Sequence, residues 1–176
     1  LVFMGMGEPL ANYEAVMDAV RILHDEQGLN LGARRITMST SGLVPQIERL
    51  AGEGLALGLA LSLHATTDEL RDTLVPVNRR WPLRELLPAA QAYGLRTGRR
   101  VTLEYTLIAG VNDSPEDADR LAAIARDLPS KINLIPYNPV PGLPYGRPTP
   151  EALQAFARVR QMIIHEAQLS PASPRC

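Results

Sequence analysis

Polar side chains gather just after the apolar runs of this sequence. Gly5-Met6-Gly7-Glu8-Pro9-Leu10 follows the first run. Its two glycines permit a tight turn and close backbone approach to a ligand, and a carboxylate at position 8 accepts hydrogen bonds from an ammonium group. By itself the stretch reads more readily as a simple strand-to-helix turn. Ser39-Thr40-Ser41-Gly42 follows the second run. Its hydroxyls and amides suit a carboxylate held at a helix N-terminus and suit plain helix capping as well. A third run ends in Ser62-Leu63-His64, where the histidine is either a site residue or a satisfied structural one. The fifth ends in Pro136-Tyr137-Asn138-Pro139. The Asn138 amide offers the paired donor and acceptor that an adenine edge needs, although Asn-Pro also begins turns. Arg34-Arg35, Arg79-Arg80 and Arg99-Arg100 suit phosphates and otherwise read as solvated pairs. His24 and His165 fall within helical patterns and read as surface groups.

The elements that must position these groups alternate between strand and helix. Leu1 to Met4 is a short apolar run, and Val16, Val20 and Leu23 then recur at helical spacing. Arg35 to Ser39 reads as a second strand, with Ile47 and Leu50 on a short helix after it. The long apolar run from Leu55 to Leu63 fits a parallel strand covered on both faces. A helix opens at Pro82 with a stripe of Leu83, Leu86, Leu87 and Ala90, and Val101 to Ile108 is a fourth strand. Ser114-Pro115-Glu116-Asp117 starts a helix that buries Leu121, Ile124 and Leu128. Ile132 to Ile135 is the fifth strand. Pro136 to Pro150 holds six prolines and reads as a long loop before a last helix with Leu153, Phe156, Val159 and Ile163 on its face. Strands alternating with helices imply a parallel sheet with right-handed crossovers, either doubly wound or part of a β/α barrel. Both place ligands beyond the carboxyl ends of the strands, where the polar groups stand.

Composition bounds the rest. The chain has 176 residues, 45% hydrophobic and 21% charged, with a net charge of −1. That is an ordinary globular balance, and a near-neutral total leaves room for a local RNA-binding patch. No apolar run approaches the roughly 18 residues of a membrane helix, so no membrane partner is expected. The one cysteine, Cys176, cannot make a disulfide framework, a zinc site or an iron–sulphur site, and a cytoplasmic location is the expectation. The sequence opens within a strand without Met or a basic leader, as expected of a fragment or a processed product.

Several of these segments together resemble the RlmN-type radical-SAM methyltransferases. The likeness lies in Phe3-Met4-Gly5-Met6-Gly7-Glu8-Pro9-Leu10, in Arg34-Arg35-Ile36-Thr37 leading into Ser39-Thr40-Ser41-Gly42, and in Ser62-Leu63-His64-Ala65. It continues in Val75-Pro76-Val77-Asn78, Val111-Asn112-Asp113 and the run from Lys131 to Pro139, and spans residues 1 to about 166. A sister family that methylates C8 of the same adenine is less similar, because this sequence keeps the C2-type residues Pro9, Ser41 and Pro136. The resemblance implies an α/β fold, a partial radical-SAM (β/α)6 barrel without its first strand and its C-terminal segment, over residues 1–166, with 167–176 an irregular tail. It implies S-adenosylmethionine (SAM) as cofactor, Gly7 and Glu8 at its amino group, Ser39 and Ser62-Leu63-His64 lining its site, and Asn138 beside its adenosine end. The implied reaction is methylation of C2 of an adenine in 23S rRNA, with tRNA as a further substrate and an electron donor as a further partner.

C2 of adenine is an electron-poor amidine carbon, so this family employs radical chemistry. A 4Fe–4S cluster cleaves one SAM, and a methyl group carried on a cysteine is transferred with the help of a second cysteine. The present sequence departs from that pattern. It has no CxxxCxxC motif, and Cys176 follows Ser170-Pro171-Ala172-Ser173-Pro174-Arg175 rather than the strand and glycine-containing loop that carry the family's methyl-bearing cysteine. The implied metal and catalytic cysteine sets are therefore absent from this chain. The isolated chain is expected to be inactive, to bind SAM weakly, and to have an exposed edge at Leu1 to Met4. The alternative is a non-catalytic ligand- or RNA-binding remnant on the same scaffold.

Overall fold

In the computed structural model, residues 1–4 and 6–158 are described. Gly5, Val159, Ile163, His165 and the 167–176 tail with Cys176 lie outside them. Five strands form one sheet in the order β1-β2-β3-β4-β5, which is also their order along the chain. They are β1 (Val2–Phe3), β2 (Thr37–Thr40), β3 (Gly58–Ser62), β4 (Val101–Leu107) and β5 (Ser130–Pro136). The β1–β2, β2–β3 and β3–β4 ladders are parallel, with Val2 opposite Thr37, Thr37 opposite Gly58, and Ala60 opposite Thr102. Right-handed crossovers that always step in one direction belong to a segment of a β/α barrel, whereas a doubly wound sheet reverses its order. The fold is thus a partial barrel.

The intervening helices are α1 (Tyr13–His24), α2 (Val44–Ala51), α3 (Asp68–Leu74), α4 (Leu83–Thr97) and α5 (Pro115–Asp127). Residues 150–158 are helical as well. Amphipathic spacing explains most of them. On α1 the buried stripe is Tyr13, Met17 and Val20, while Val16 and Leu23 are half-buried. Each fully buried side chain of this size contributes about 1.5–3 kcal/mol relative to exposure. α4 buries Leu83, Leu86, Ala90 and Tyr93, and tolerates Pro88 within it. Pro88 is exposed, so its ring faces water while the opposite stripe holds the helix in place.

Two stretches differ from the sequence expectation. Strand β2 begins at Thr37, because Ala33–Arg35 form a 3₁₀ turn, so Arg35 and Ile36 precede the ladder. Helix α3 gave no apolar periodicity in Asp68-Glu69-Leu70-Arg71-Asp72-Thr73-Leu74. Thr67 caps it by accepting a hydrogen bond from the Leu70 amide, and its buried residue is an arginine. Polar bonds, not an apolar stripe, hold this helix.

The chain divides into two compact units. The first comprises Leu1–Tyr105 with Leu128–Asn133, and the second Thr106–Asp127 with the described part of Leu134–Cys176. The first has its core in Met38, Leu59, Leu61 and Leu103 of the strands and Leu63 just after β3, with Met17, Ile47, Leu50 and Leu86 from the helices. Its edge strand β1 leaves Leu1, Val2 and Met4 exposed. In the second, Ser114 caps α5 by accepting from the Asp117 amide at 3.1 Å. The proline-rich stretch there is tied down by an antiparallel bridge between Ala109 and Gly146. No helix among the described residues is long and apolar enough to cross a membrane.

Candidate functional site

At the carboxyl end of the first unit's strands lies a cavity of about 310 Å³, lined by Gly7, Glu8, Ser39, Thr40, Ser41 and Ser62 among others. Three successive strand ends supply it: the turn after β1, the end of β2 and the end of β3. Glu8 organises the first two. Its Oε1 accepts from the Leu10 amide at 3.0 Å, which caps the Pro9–Asn12 turn. Its Oε2 accepts from the Ser41 amide at 2.6 Å and from the Ser41 hydroxyl at 2.8 Å. A carboxylate has about four lone-pair directions. Three are taken by the protein, which fixes the group and leaves capacity for one outside donor. Hydrogen bonds to a charged group contribute about 1.5–3 kcal/mol each, so the carboxylate is firmly held.

Gly7 has a different explanation. Its φ is not in the left-handed region, and a Cβ built on it would meet nothing within 4 Å. Neither backbone nor packing requires glycine there, and the added atom would project into open space. Gly42 is required by both: its φ is +118°, and a Cβ would lie 3.0 Å from the Leu86 methyls. The Gly42 amide donates to Thr40 Oγ1 at 3.1 Å, closing the turn after β2.

Below this cavity is a residue that the sequence reading passed over. Arg71 of α3 is 0% exposed. Its Nη2 donates to the carbonyls of Ser41 at 2.6 Å and Ser62 at 3.0 Å, and its Nε donates to the Leu63 carbonyl at 3.1 Å. Its Nη1 donates to Asn78 Oδ1 at 2.9 Å. Asn78, itself buried, passes the connection on by donating to Asp68 Oδ1 at 3.0 Å and Asp72 Oδ1 at 2.7 Å. Burial lowers the Arg71 pKa to about 10, against the raising influence of Asp68 and Asp72, so the group stays cationic at neutral pH. The signal was present in Val75-Pro76-Val77-Asn78. A buried asparagine must satisfy its amide, and Arg71 lies one helix end away.

The expected site residues divide into three groups. Gly7, Glu8, Ser39 and Ser62 line the one cavity. Leu63 and His64 continue from Ser62, and both amides donate to the Glu104 carbonyl, at 3.0 and 3.3 Å. The Leu63 side chain is buried in the core, so what it presents here is backbone. His64 has a left-handed φ of +56°. Burial first, and the nearby Arg71 cation second, lower its pKa to about 4, so the imidazole is neutral at pH 7. Asn138 stands in the second unit, outside that lining, where its Oδ1 accepts from Arg147 Nη1 at 3.0 Å. Asn112 is a clasp on its own loop: Oδ1 accepts from the Ile108 amide and Nδ2 donates to the Thr106 carbonyl, both at 2.7 Å.

The residues present fit one of the implied cofactors and not the other. A fixed carboxylate with spare capacity, a glycine open to close approach and two serines suit the ammonium arm of SAM. A 4Fe–4S cluster needs a set of thiolates, and the single cysteine of the sequence cannot supply one. Among the described residues no group of three or more His, Cys, Asp or Glu is placed to hold a metal ion.

Comparison with known proteins gives a consistent result. A family profile described as the radical SAM superfamily matches residues 1–122. The probable dual-specificity RNA methyltransferase RlmN of Symbiobacterium thermophilum is 58% identical over 160 residues, covering 90% of this chain and 43% of that protein. Its counterpart in Moorella thermoacetica is 57% identical, covering 96% of this chain and 48% of that one. The chain therefore spans somewhat under half the length of these relatives. A radical SAM methyltransferase from Sphaerobacter thermophilus superposes with a TM-score of 0.88 at 56% identity, over 92% of this chain and 48% of that one. A domain of a pyruvate-formate lyase-activating enzyme from Bacteroides vulgatus matches with a TM-score of 0.69 over 93% of both chains at 19% identity, a likeness of fold alone.

Proposed function

The chain belongs to the radical SAM superfamily, and we propose that it forms the SAM-binding body, over residues 1–166, of a cytoplasmic enzyme that methylates C2 of an adenine in 23S rRNA and in tRNA. The names of the relatives support the substrate class, since each is named as a dual-specificity RNA methyltransferase RlmN or a probable one. The observation that carries the site is Glu8, its carboxylate bound on both oxygens and still able to accept one more hydrogen bond at the mouth of a polar cavity.

In this reading Glu8 accepts from the SAM ammonium group. Gly7 lets the backbone approach that group without a Cβ in the way. Ser39 and Ser62 offer hydroxyls to the methionine arm, with Leu63 and His64 beside them. His64 is neutral at pH 7, so it adds no positive charge beside the sulphonium. SAM supplies the methyl group when bound. The radical step needs a cluster and an electron donor, and no residue set of this chain holds that cluster, so the chain's own part is to bind and orient SAM.

Two measurements test this. SAM titrated into the chain, followed by backbone amide shifts, is expected to perturb Gly7, Ser41 and Ser62, and Glu8→Gln is expected to weaken binding by about 10- to 100-fold, the loss of one charged hydrogen bond. Deleting the gene is expected to remove 2-methyladenosine from 23S rRNA and tRNA, read by mass spectrometry of nucleosides. SAM binding with 2-methyladenosine unchanged would favour a ligand-binding remnant over a methyltransferase.

A further inference from the structure

We propose that Arg71 is a positioning residue for the carboxyl-end cavity, its buried guanidinium fixing the strand-end backbone that holds Glu8 and Ser62 in place. The inference rests on the reading of that cavity as a ligand site, and adds a residue that never touches the ligand. Arg71 is 0% exposed, so its effect must pass through other groups.

Those groups are named by the geometry. Strands β2 and β3 both end at this rim, and beyond its last ladder pair each strand has carbonyls with no strand partner. Arg71 satisfies three of them with one planar fork: Ser41 and Ser62 through Nη2, Leu63 through Nε. Ser41 and Ser62 both line the cavity. Ser41 is also the residue whose amide and hydroxyl hold Glu8 Oε2, at 2.6 and 2.8 Å. A continuous path therefore runs from Arg71 through Ser41 to the Glu8 carboxylate. The path also has a fixed base, because Asn78 anchors Nη1 and is itself anchored by Asp68 and Asp72.

Burying a cation costs several kcal/mol, so the groups it bonds must be well placed to hold it. Here its hydrogen-bond partners are three backbone carbonyls and the Asn78 amide oxygen, all neutral, while Asp68 and Asp72 act on the charge through space and hold Asn78. That arrangement sets three peptide groups at fixed angles. Lysine cannot replace it, since an ammonium on a flexible stem lacks the rigid fork. The turn also leaves room for the fork. A Cβ at Gly42 would lie 3.4 Å from Arg71 Nη2.

The test uses the full chain as wild type, Arg71→Lys, Glu8→Gln and the double variant. Each is titrated with SAM and with 5′-methylthioadenosine, which lacks the amino-acid arm. Arg71→Lys is expected to stay folded by circular dichroism, to bind SAM about tenfold more weakly and to bind methylthioadenosine unchanged. Its effect on SAM is expected to vanish in the Glu8→Gln background, because the two residues act on one path. A merely structural arginine would weaken both ligands together, whatever stands at position 8. That result, or a folded Arg71→Lys with wild-type SAM affinity while Glu8→Gln loses it, overturns the inference. If Glu8→Gln itself changes nothing, the fault lies in the ligand-site reading, and the inference falls with it. Should Arg71→Lys melt below the assay temperature, Asn78→Ser carries the same test. It removes the Nη1 anchor with that anchor's own bonds to Asp68 and Asp72 and leaves the three carbonyl contacts of Arg71 in place, so a loss of about threefold confined to SAM is expected.

Discussion

The two ends of the sheet in the first unit hold cavities of different construction. The carboxyl-end cavity has walls that bond to one another, Glu8 to Ser41 and both serine-bearing strand ends to Arg71. The amino-end cavity, about 210 Å³, is lined by Gln91, Leu95, Arg99, Arg100, Leu128 and Pro129 among others. It lies where α4 ends and β4 and β5 begin. Leu95 and Arg100 are exposed there, the Arg99 side chain donates to the Arg34 carbonyl at 3.2 Å, and no ion pair among the described residues involves Arg99 or Arg100. The two cavities belong to one sheet but to different strands, the first to β1, β2 and β3 and the second to β4 and β5. The difference lies in how many polar groups fix each other. Strand ends that feed the starts of helices bring free amides and carbonyls together, and one buried charge can order them. Strand beginnings here receive arginines that water can solvate singly.

The largest effect that would sharpen the contrast is on stability. Arg71→Met removes the partner of three strand-end carbonyls and leaves Asn78 Oδ1 unpaired. Each buried unsatisfied group costs about 1–3 kcal/mol, so a total loss of about 3 kcal/mol or more is expected in urea unfolding. Arg100→Met at the amino end is expected to stay within about 0.5 kcal/mol of wild type, as exposed substitutions do. Equal losses at both ends would erase the distinction.

A smaller effect follows from pH. The His64 pKa is about 4 in the folded chain against 6.5 for the free side chain. Between those values the unfolded chain binds the proton and the folded chain does not, so stability falls as pH drops from about 6.5 towards 4. Above 6.5 both states are neutral and the contribution is flat. After allowance for the part of the ring that water reaches, a loss on the order of 1–2 kcal/mol is expected. His64→Gln is expected to flatten that limb of the stability curve, and an unchanged slope would place the acid sensitivity elsewhere. The amino-end cavity contains no histidine, and no such limb arises from it.

How far the sequence could be read follows the same division. Apolar spacing marked α1, α2, α4 and α5, which bury one face, and apolar runs marked the five strands, of which β3 is buried on both faces. Neither marked α3, whose stability comes from the Thr67 cap and from Arg71, and hydrophobic spacing carries no trace of either. The position of Glu8 after β1 was readable from the glycines around it. Its double attachment to Ser41 was not, because the two are 33 residues apart and meet only through the β1–β2 ladder. Arg71 looked like one more surface arginine in a charged stretch. Only Asn78, quoted as a motif without a task, hinted that a buried polar partner was needed. Sequential strand order was likewise a matter of pairing rather than of pattern, and the structure decided for a barrel segment over a doubly wound sheet.

The smallest effect on stability gives the sharpest separation of the two cavities. Gly7→Ala and Leu95→Ser each change one atom group at a cavity wall, and neither should disturb packing. A Cβ at Gly7 meets nothing within 4 Å, and its φ is accessible to alanine. Alanine there restricts the unfolded chain, so stability is expected to be unchanged or to rise by up to about 1 kcal/mol. Leu95 is 73% exposed, and losing its side chain removes little buried surface. By thermal melting the two variants are expected to be nearly indistinguishable from wild type. By SAM titration they are expected to part. The new methyl group of Gly7→Ala occupies the space that the SAM amino-acid arm is assigned, so binding is expected to weaken by about tenfold or more, while methylthioadenosine binding persists. Leu95→Ser is expected to bind both ligands as wild type does. If Gly7→Ala binds SAM normally, the open space beside Glu8 is not where the arm lies. If Leu95→Ser loses SAM, the amino end of the sheet takes part in binding and the division between the two ends fails.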